Sequence, residues 1–272
     1  MNLRKCFATN NQCYKNAKKM TVKGIMVHST GANNPNLKRY VQPDDGLLGV
    51  NPYGNHFNTL KPGGRSVCVH AFIGKLKDGS IATYQIMPWN WVAWHSGGGS
   101  KGYAYNMGYI GFEICEDGLT DKTYFDKVYQ EAVELCIYLC KQYNLDENDI
   151  ICHSEGHKKG IASNHGDVMH WFPKHGKSMD TFRAAVKAGL FKPAKEPVQK
   201  PTEPAVKPVA SDTGFRVRVN ITDLNIRTEP SASSKSKGHI PPGVYTIIQE
   251  KNGWGKLKSG AGWIKLSYTT KL

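Results

Sequence analysis

Between Lys192 and Asp212 the chain runs Lys-Pro-Ala-Lys-Glu-Pro-Val-Gln-Lys-Pro-Thr-Glu-Pro-Ala-Val-Lys-Pro-Val-Ala-Ser-Asp, with five prolines three or four residues apart and no aromatic side chain. Proline at that density fixes φ, removes backbone donors and favours extended polyproline II. Such a stretch cannot join a packed core and serves as a semi-rigid spacer. The chain is therefore expected to form two bodies, residues 1–191 and 213–272, joined by a linker over 192–212.

Hydrophobic residues make up 39% of the 272-residue chain and charged residues 21%, which describes a globular protein rather than a disordered one. No apolar run approaches the roughly 18 residues of a membrane-spanning helix, so no membrane insertion is expected. The first dozen residues hold a basic pair with no apolar block behind it, so a secretory leader is not expected. Seven cysteines cannot all pair within one chain. Cys68, Cys115, Cys136, Cys140 and Cys152 lie in apolar strand-like or helical surroundings and read as buried thiols. Cys6 and Cys13 could pair, but reduced thiols suit a protein made in a cytoplasm. The net charge of +14 draws polyanions, among them nucleic acid, anionic lipid and anionic wall polymer. The basic residues form no helix face or aromatic-interleaved strand set, so a nucleic-acid partner is not expected.

In the first body, Gly24–His28 and Tyr109–Cys115 read as short apolar strands, while Val67–Gly74 and Ile81–Ile86 flank a hairpin turn at Lys77–Ser80. Phe125, Val128, Ala132, Leu135 and Leu139 follow at helical spacing after Thr123, a candidate N-cap. Ser178 caps a final helix through about Ala188. Strands mixed with helices make this an α/β domain with a central mixed sheet and flanking helices. The last sixty residues read as short strands with turns at Pro241–Gly243, Lys251–Gly253 and Ser259–Gly262, a small all-β barrel. They carry ten Lys and Arg against three acids.

Chemistry concentrates between Cys152 and Phe172, where His153, His157, His165, His170, Glu155 and Asp167 crowd together. Each can bind a divalent metal or move a proton, and zinc favours imidazole. A hydrolytic zinc site needs about three protein ligands and an open position, a carboxylate to take a proton from water, and a donor for the oxyanion. His28 sits at a strand end, where a side chain leaves the core. Glu113 interrupts an apolar strand; by alternation it faces solvent, or else a pocket holds it.

These pieces together resemble the zinc-dependent N-acetylmuramoyl-L-alanine amidases of the type-2 class, which share a fold with the peptidoglycan recognition proteins. The resemblance spans about Lys23 to Arg183. Val-His-Ser-Thr at His28, Ala-Trp-His-Ser-Gly at Trp94, Ile-Gly-Phe-Glu at Glu113, and His153 followed by His-Gly-Asp carry it. The resemblance implies His28, His153 and Asp167 as zinc ligands, with His165 the rival for the third place. It implies Glu113 as the general base that deprotonates a zinc-activated water. His165 stands where the family often has a lysine, as the oxyanion donor. The substrate would be the amide joining N-acetylmuramic acid to L-alanine in peptidoglycan. His70, Trp94 and His95 either line the substrate groove or pack in the core. His157 reads as loop surface, and His170 and Trp171 as packing; His56, His175 and His239 carry no signal.

The C-terminal residues Leu224–Ser231, Asn252–Lys256 and Gly262–Ile264 resemble a bacterial SH3-like domain, a class that binds wall peptides or polymers. Trp254, Trp263 and Tyr268 would form an aromatic wall-binding surface, unless the tryptophans belong to the barrel core. The expectation is a phage endolysin, made in the host cytoplasm and acting at the wall on peptidoglycan, with anionic wall polymers as a further partner. A bacterial autolysin of the same activity, or a non-catalytic peptidoglycan binder on the same fold, are the alternatives.

Overall fold

The computed structural model describes residues 1–191, 214–219, 224–231, 234–251 and 253–271; the expected linker, 192–212, lies outside the described residues. The chain divides into two compact units, Met1–Pro197 and Val198–Leu272.

The first unit is built on strands β1 (Leu3–Lys5), β2 (Gly24–Ser29), β3 (Ala71–Lys75), β4 (Ile81–Gln85), β5 (Tyr109–Ile114) and β6 (Ile150–Cys152). They form one six-stranded mixed sheet in the order β1-β4-β3-β5-β2-β6. β3, β5, β2 and β6 run parallel, β4 returns antiparallel to β3, and β1 closes the edge parallel to β4. The helices are α1 (Gln12–Asn16), α2 (Lys122–Tyr143), α3 (His153–Lys158) and α4 (Met179–Phe191).

Alternation along the parallel strands sorts the two faces. Ile25, Val27, Ile110, Phe112 and Ile114 point to one face and form a core with Phe125, Val128, Ala132, Leu135 and Leu139 of α2 and Phe182 and Val186 of α4. The intervening positions, among them His28 and Glu113, therefore point to the other face. Phe72 and Tyr84 pack there against Leu37, Tyr40 and Leu48 from the loops. α2 begins two residues earlier than expected: Asp121, not Thr123, is its N-cap, and its carboxylate accepts the Tyr124 N–H at 2.9 Å. α4 follows Ser178, whose Oγ accepts the Thr181 N–H at 3.2 Å, and runs on to Phe191. The first half of the expected strand Val67–Gly74 is irregular, and pairing begins at Ala71.

The second unit holds β7 (Phe215–Val219), β8 (Leu224–Arg227), β9 (Ser236–Ile240), β10 (Gly243–Lys251), β11 (Trp254–Leu257), β12 (Trp263–Lys265) and β13 (Thr269–Lys271). They make one antiparallel sheet in the order β13-β7-β10-β11-β12-β8-β9. Val217, Val219, Leu224, Ile240, Ile247, Leu257 and Ile264 form its core. Trp254 and Trp263 are not part of that cluster, and Tyr268 is exposed.

Phe125 is fully buried, and its ring meets those of Trp171, Phe172 and His175 at centroid distances of 5.2, 5.6 and 4.1 Å. Phe125→Ala should cost about 3–5 kcal/mol of stability, read as a lowered denaturant midpoint for the first unit.

Candidate metal centre and cleft

The parallel register places His28 directly beside Glu113 at the carboxyl ends of β2 and β5. Val27 pairs with Cys152, so the next residue of each chain segment, His28 and His153, emerges at the same level as β6 passes into α3. Crevices at the carboxyl ends of parallel strands are the usual place for a site in such sheets. Asp167 arrives from the loop after α3. Val168, Trp171 and Phe172 are fully buried behind it, and its carbonyl accepts the Ser154 N–H at 3.3 Å.

The His28 Nδ1 lies 3.0 Å from Asp167 Oδ2 and 3.0 Å from His153 Nδ1, and His153 Nδ1 lies 3.6 Å from the same carboxylate oxygen. Among the described residues these three form the group able to hold a metal ion, with ligand atoms within 4.8 Å of one another. Burial alone would raise Asp167, yet the His153 and His28 imidazoles beside it hold it well below the usual carboxylate range. Burial pushes His28 down, against the pull of Asp167.

The proton positions follow from a relay. His95 Nε2 lies 3.0 Å from the Tyr109 carbonyl, which can only accept, so that nitrogen carries the proton. Burial, then the neighbouring His28 and His70, push His95 well below the usual histidine range, so it is neutral and its Nδ1 is an acceptor. The His28 Nε2, at 2.9 Å, must donate to it. His28 Nδ1 is thereby left with a bare lone pair facing an ionised carboxylate. His153 Nε2 lies 3.3 Å from Ser163 Oγ, a donor arrangement that turns the His153 Nδ1 lone pair to the same point. Three lone-pair donors converge where only a cation or a shared proton satisfies them. Two imidazoles and a carboxylate, with the second nitrogen of each histidine engaged elsewhere, are the donor set zinc takes in open catalytic sites.

Glu113 is half-buried, and its Oε2 is shielded from solvent with no hydrogen-bond partner, as is Ser29 Oγ. Both residues line a cleft of about 670 Å³ that also takes in His28, His153, His165 and Asp167. Burial, then the charges of Asp167 and Glu116, push Glu113 well above the usual carboxylate range.

His165 is exposed and stands outside the triangle of donor atoms. Its ring centroid is 4.7 Å from that of His153, and its Nδ1 is 2.9 Å from Ser163 Oγ. Trp94 lines the cleft. His95 lines it too, but both its nitrogens are committed to the relay. His70 is not a groove residue: it is buried, accepting the Gly111 N–H at Nδ1 (3.1 Å) and donating from Nε2 to the Trp91 carbonyl (2.7 Å). Burial pushes it down to about 4. Glu155 is structural, since its carboxylate accepts the Cys152 N–H and a forked pair from Arg183 at 3.0 Å each. His157 meets the Ala162 carbonyl at 3.3 Å.

Three participants escape a reading by residue type. Gly111 lies against His95; a Cβ there would come within 2.3 Å of the ring. The glycine in Ile-Gly-Phe-Glu leaves room for the relay imidazole. Ser163 links His153 to His165, and nothing in its sequence neighbourhood marks it. Glu116, buried, accepts the Gly31 N–H at 3.1 Å and meets His170 Nε2 at 2.9 Å, pinning the loop after β2. A second acid three residues after Glu113, at the end of an apolar strand, was the available signal. His170 consequently lines the cleft rather than only packing against its loop.

The fold and this centre define an α/β domain with a metal-ready hydrolytic cleft. Residues 18–169 match the family model described as N-acetylmuramoyl-L-alanine amidase, more than half of the chain, and the chain belongs to that family. Its substrate class is peptidoglycan, and its place of action the cell wall. None of the curated proteins compared matches the chain. Similar solved structures include PlyL, with a TM-score of 0.47 at 20% identity, covering 70% of this chain and 98% of that one. The catalytic domain of XlyA has a TM-score of 0.46 at 21% identity and covers 68% and 99%. The Staphylococcus aureus hydrolase AmiA, solved with its ligand, has a TM-score of 0.45 at 17% identity and covers 70% and 82%. Among the described residues no helix is long and apolar enough to cross a membrane.

A carboxyl whose folded pKa is raised stabilises the fold only while protonated; that contribution is complete below the ordinary value and is lost as pH rises through the raised one. In metal-free protein, Glu113→Gln should therefore melt above the parent by a margin that grows as pH rises above the ordinary carboxylate range. A margin independent of pH would contradict the burial of that charge.

Proposed function

We propose that the chain is a zinc-dependent N-acetylmuramoyl-L-alanine amidase of the endolysin type, with a C-terminal SH3-like unit that holds it on the wall. The observation that carries this reading is the convergence of His28 Nδ1, His153 Nδ1 and Asp167 Oδ2 beside an unpartnered Glu113. His28, His153 and Asp167 would hold the ion. When bound, zinc supplies an activated water and positive charge beside the attacked lactyl carbonyl.

The chain's own groups do the rest. Glu113 Oε2, with no competing partner, takes the proton from the attacking water and returns it to the departing L-alanine nitrogen. Its raised affinity for protons, set by burial, suits a base that must also act as the acid. His165 supports the oxyanion. The Ser96 carbonyl accepts both the Ser163 N–H at 3.0 Å and the Ser163 hydroxyl at 3.2 Å, and the same Oγ lies 2.9 Å from His165 Nδ1. Trp94 and His170 offer an indole and an imidazole along the cleft for the sugar and peptide.

Glu113→Ala should reduce release of stem peptide from purified walls at least a hundredfold while zinc content stays at one per chain. The products should be glycan strands bearing free lactyl carboxylates and peptides with a new N-terminal alanine. New reducing sugar ends, or full activity in the variant, would refute the assignment. His95→Leu should leave Glu113 in place yet raise the zinc dissociation constant about 10- to 100-fold, read by competition with a chromophoric chelator.

A further inference from the structure

The second unit was expected to bind through open aromatic rings, and its sheet arranges those rings differently. In β11 and β12, Trp254 pairs with Lys265, and Lys256 pairs with Trp263. β10 extends both rows, with Lys251 opposite Trp254 and Gln249 opposite Lys256, while on β8 Arg227 lies opposite Trp263. Directly paired residues share a face of a sheet. Leu257 and Ile264, at the alternate positions, are in the core, so this set faces outward. The outer face thus carries two rows, Lys251–Trp254–Lys265 and Gln249–Lys256–Trp263–Arg227. Cations stand on four neighbouring strands, spread over about 14 Å, and none of the seven positions is acidic.

The two indoles are not open platforms, since Trp254 is only 6% and Trp263 only 7% exposed. The Lys265 ammonium lies 5.7 Å from the centroid of Trp254, and that of Lys256 5.9 Å from Trp263. A lysine lying over an indole buries its methylene stem and is drawn to the ring's negative face. Arg227 is fixed as well, with Nη1 donating to the Ser234 carbonyl at 2.8 Å. The rings therefore act as supports that hold ammonium groups in a fixed array. A neutral sugar or peptide would need the ring faces; a polymer with charge at regular intervals needs the array.

We propose that the outer face of β8, β10, β11 and β12 binds a phosphodiester-linked anionic polymer of the cell wall, with Trp254 and Trp263 positioning Lys265 and Lys256. This rests on the wall-binding reading of the second unit. Lysine serves well as a point charge toward phosphate, and ordering it beforehand lowers the entropy lost on binding. The attraction is accordingly salt-sensitive.

The test uses the full chain, purified Gram-positive walls before and after acid extraction of their phosphate polymer, and a soluble glycerol-phosphate oligomer. Retention should fall at least tenfold on extracted walls. Lys256→Gln with Lys265→Gln should weaken oligomer binding about tenfold at 0.15 M salt and lower the log–log salt slope by about one to two. Trp254→Leu, checked for an unchanged melting temperature, should weaken binding only a few-fold. Should that variant instead unfold, the lysine pair and the extracted walls decide the matter. Equal retention on extracted walls, indifference to the lysine changes, or tighter binding of duplex DNA than of the oligomer would overturn the proposal. Hydrolysis of a soluble muropeptide by the parent chain is measured in parallel. Its absence would sink the amidase reading while leaving the retention result to decide this one.

Discussion

The carbonyl of Tyr109 can only accept a hydrogen bond, and from that constraint the proton positions in the floor of the cleft follow in order. It takes the proton of His95 Nε2, His95 Nδ1 takes that of His28 Nε2, and the His28 Nδ1 lone pair is left facing Asp167. Burial keeps both rings from picking up a second proton. An imidazole at the end of a strand would otherwise be free to present either nitrogen, or a positive charge. The backbone of β5 thus selects a cation for the centre at a point remote from the ligands themselves.

A second chain of hydrogen bonds performs the complementary task. Ser163 stands between His153 and His165, its Oγ 3.3 Å from one ring and 2.9 Å from the other, while its hydroxyl donates to the Ser96 carbonyl at 3.2 Å. By accepting from His153 Nε2, the same hydroxyl oxygen turns that ring's Nδ1 lone pair toward the centre. With Glu113 left unpartnered between these two arrangements, base, cation site and donor have separate, non-competing connections.

Much of this was legible in the sequence, and the reasons divide along physical lines. His28 and Glu113 were visible because a polar residue at the end of an apolar strand stands out against a period of two. The helix from Lys122 was visible because its apolar stripe is wide. The role of His95 was hidden, since its partners are a backbone carbonyl and a ring from another strand, which no residue pattern encodes. His70 looked equivalent to His95, yet burial and two backbone bonds make it a core residue. The tryptophans of the second unit could have been placed by parity. Trp263 and Ile264 are neighbours on one strand, only one of them can face the core, and the branched aliphatic side chain takes that place.

Gly111 has a dynamic consequence. A ring that rests directly on a strand backbone, with no β-carbon between them, has little room for rotamer exchange. His95 can move only as β5 moves, and His28 follows His95. Fluctuations of the metal-ready triangle are then those of a central parallel strand, the stiffest part of such a domain, rather than those of side chains at a cleft edge. Rigidity of this origin discriminates among ions by geometry, because the donor atoms cannot spread to suit a larger cation or a higher coordination number.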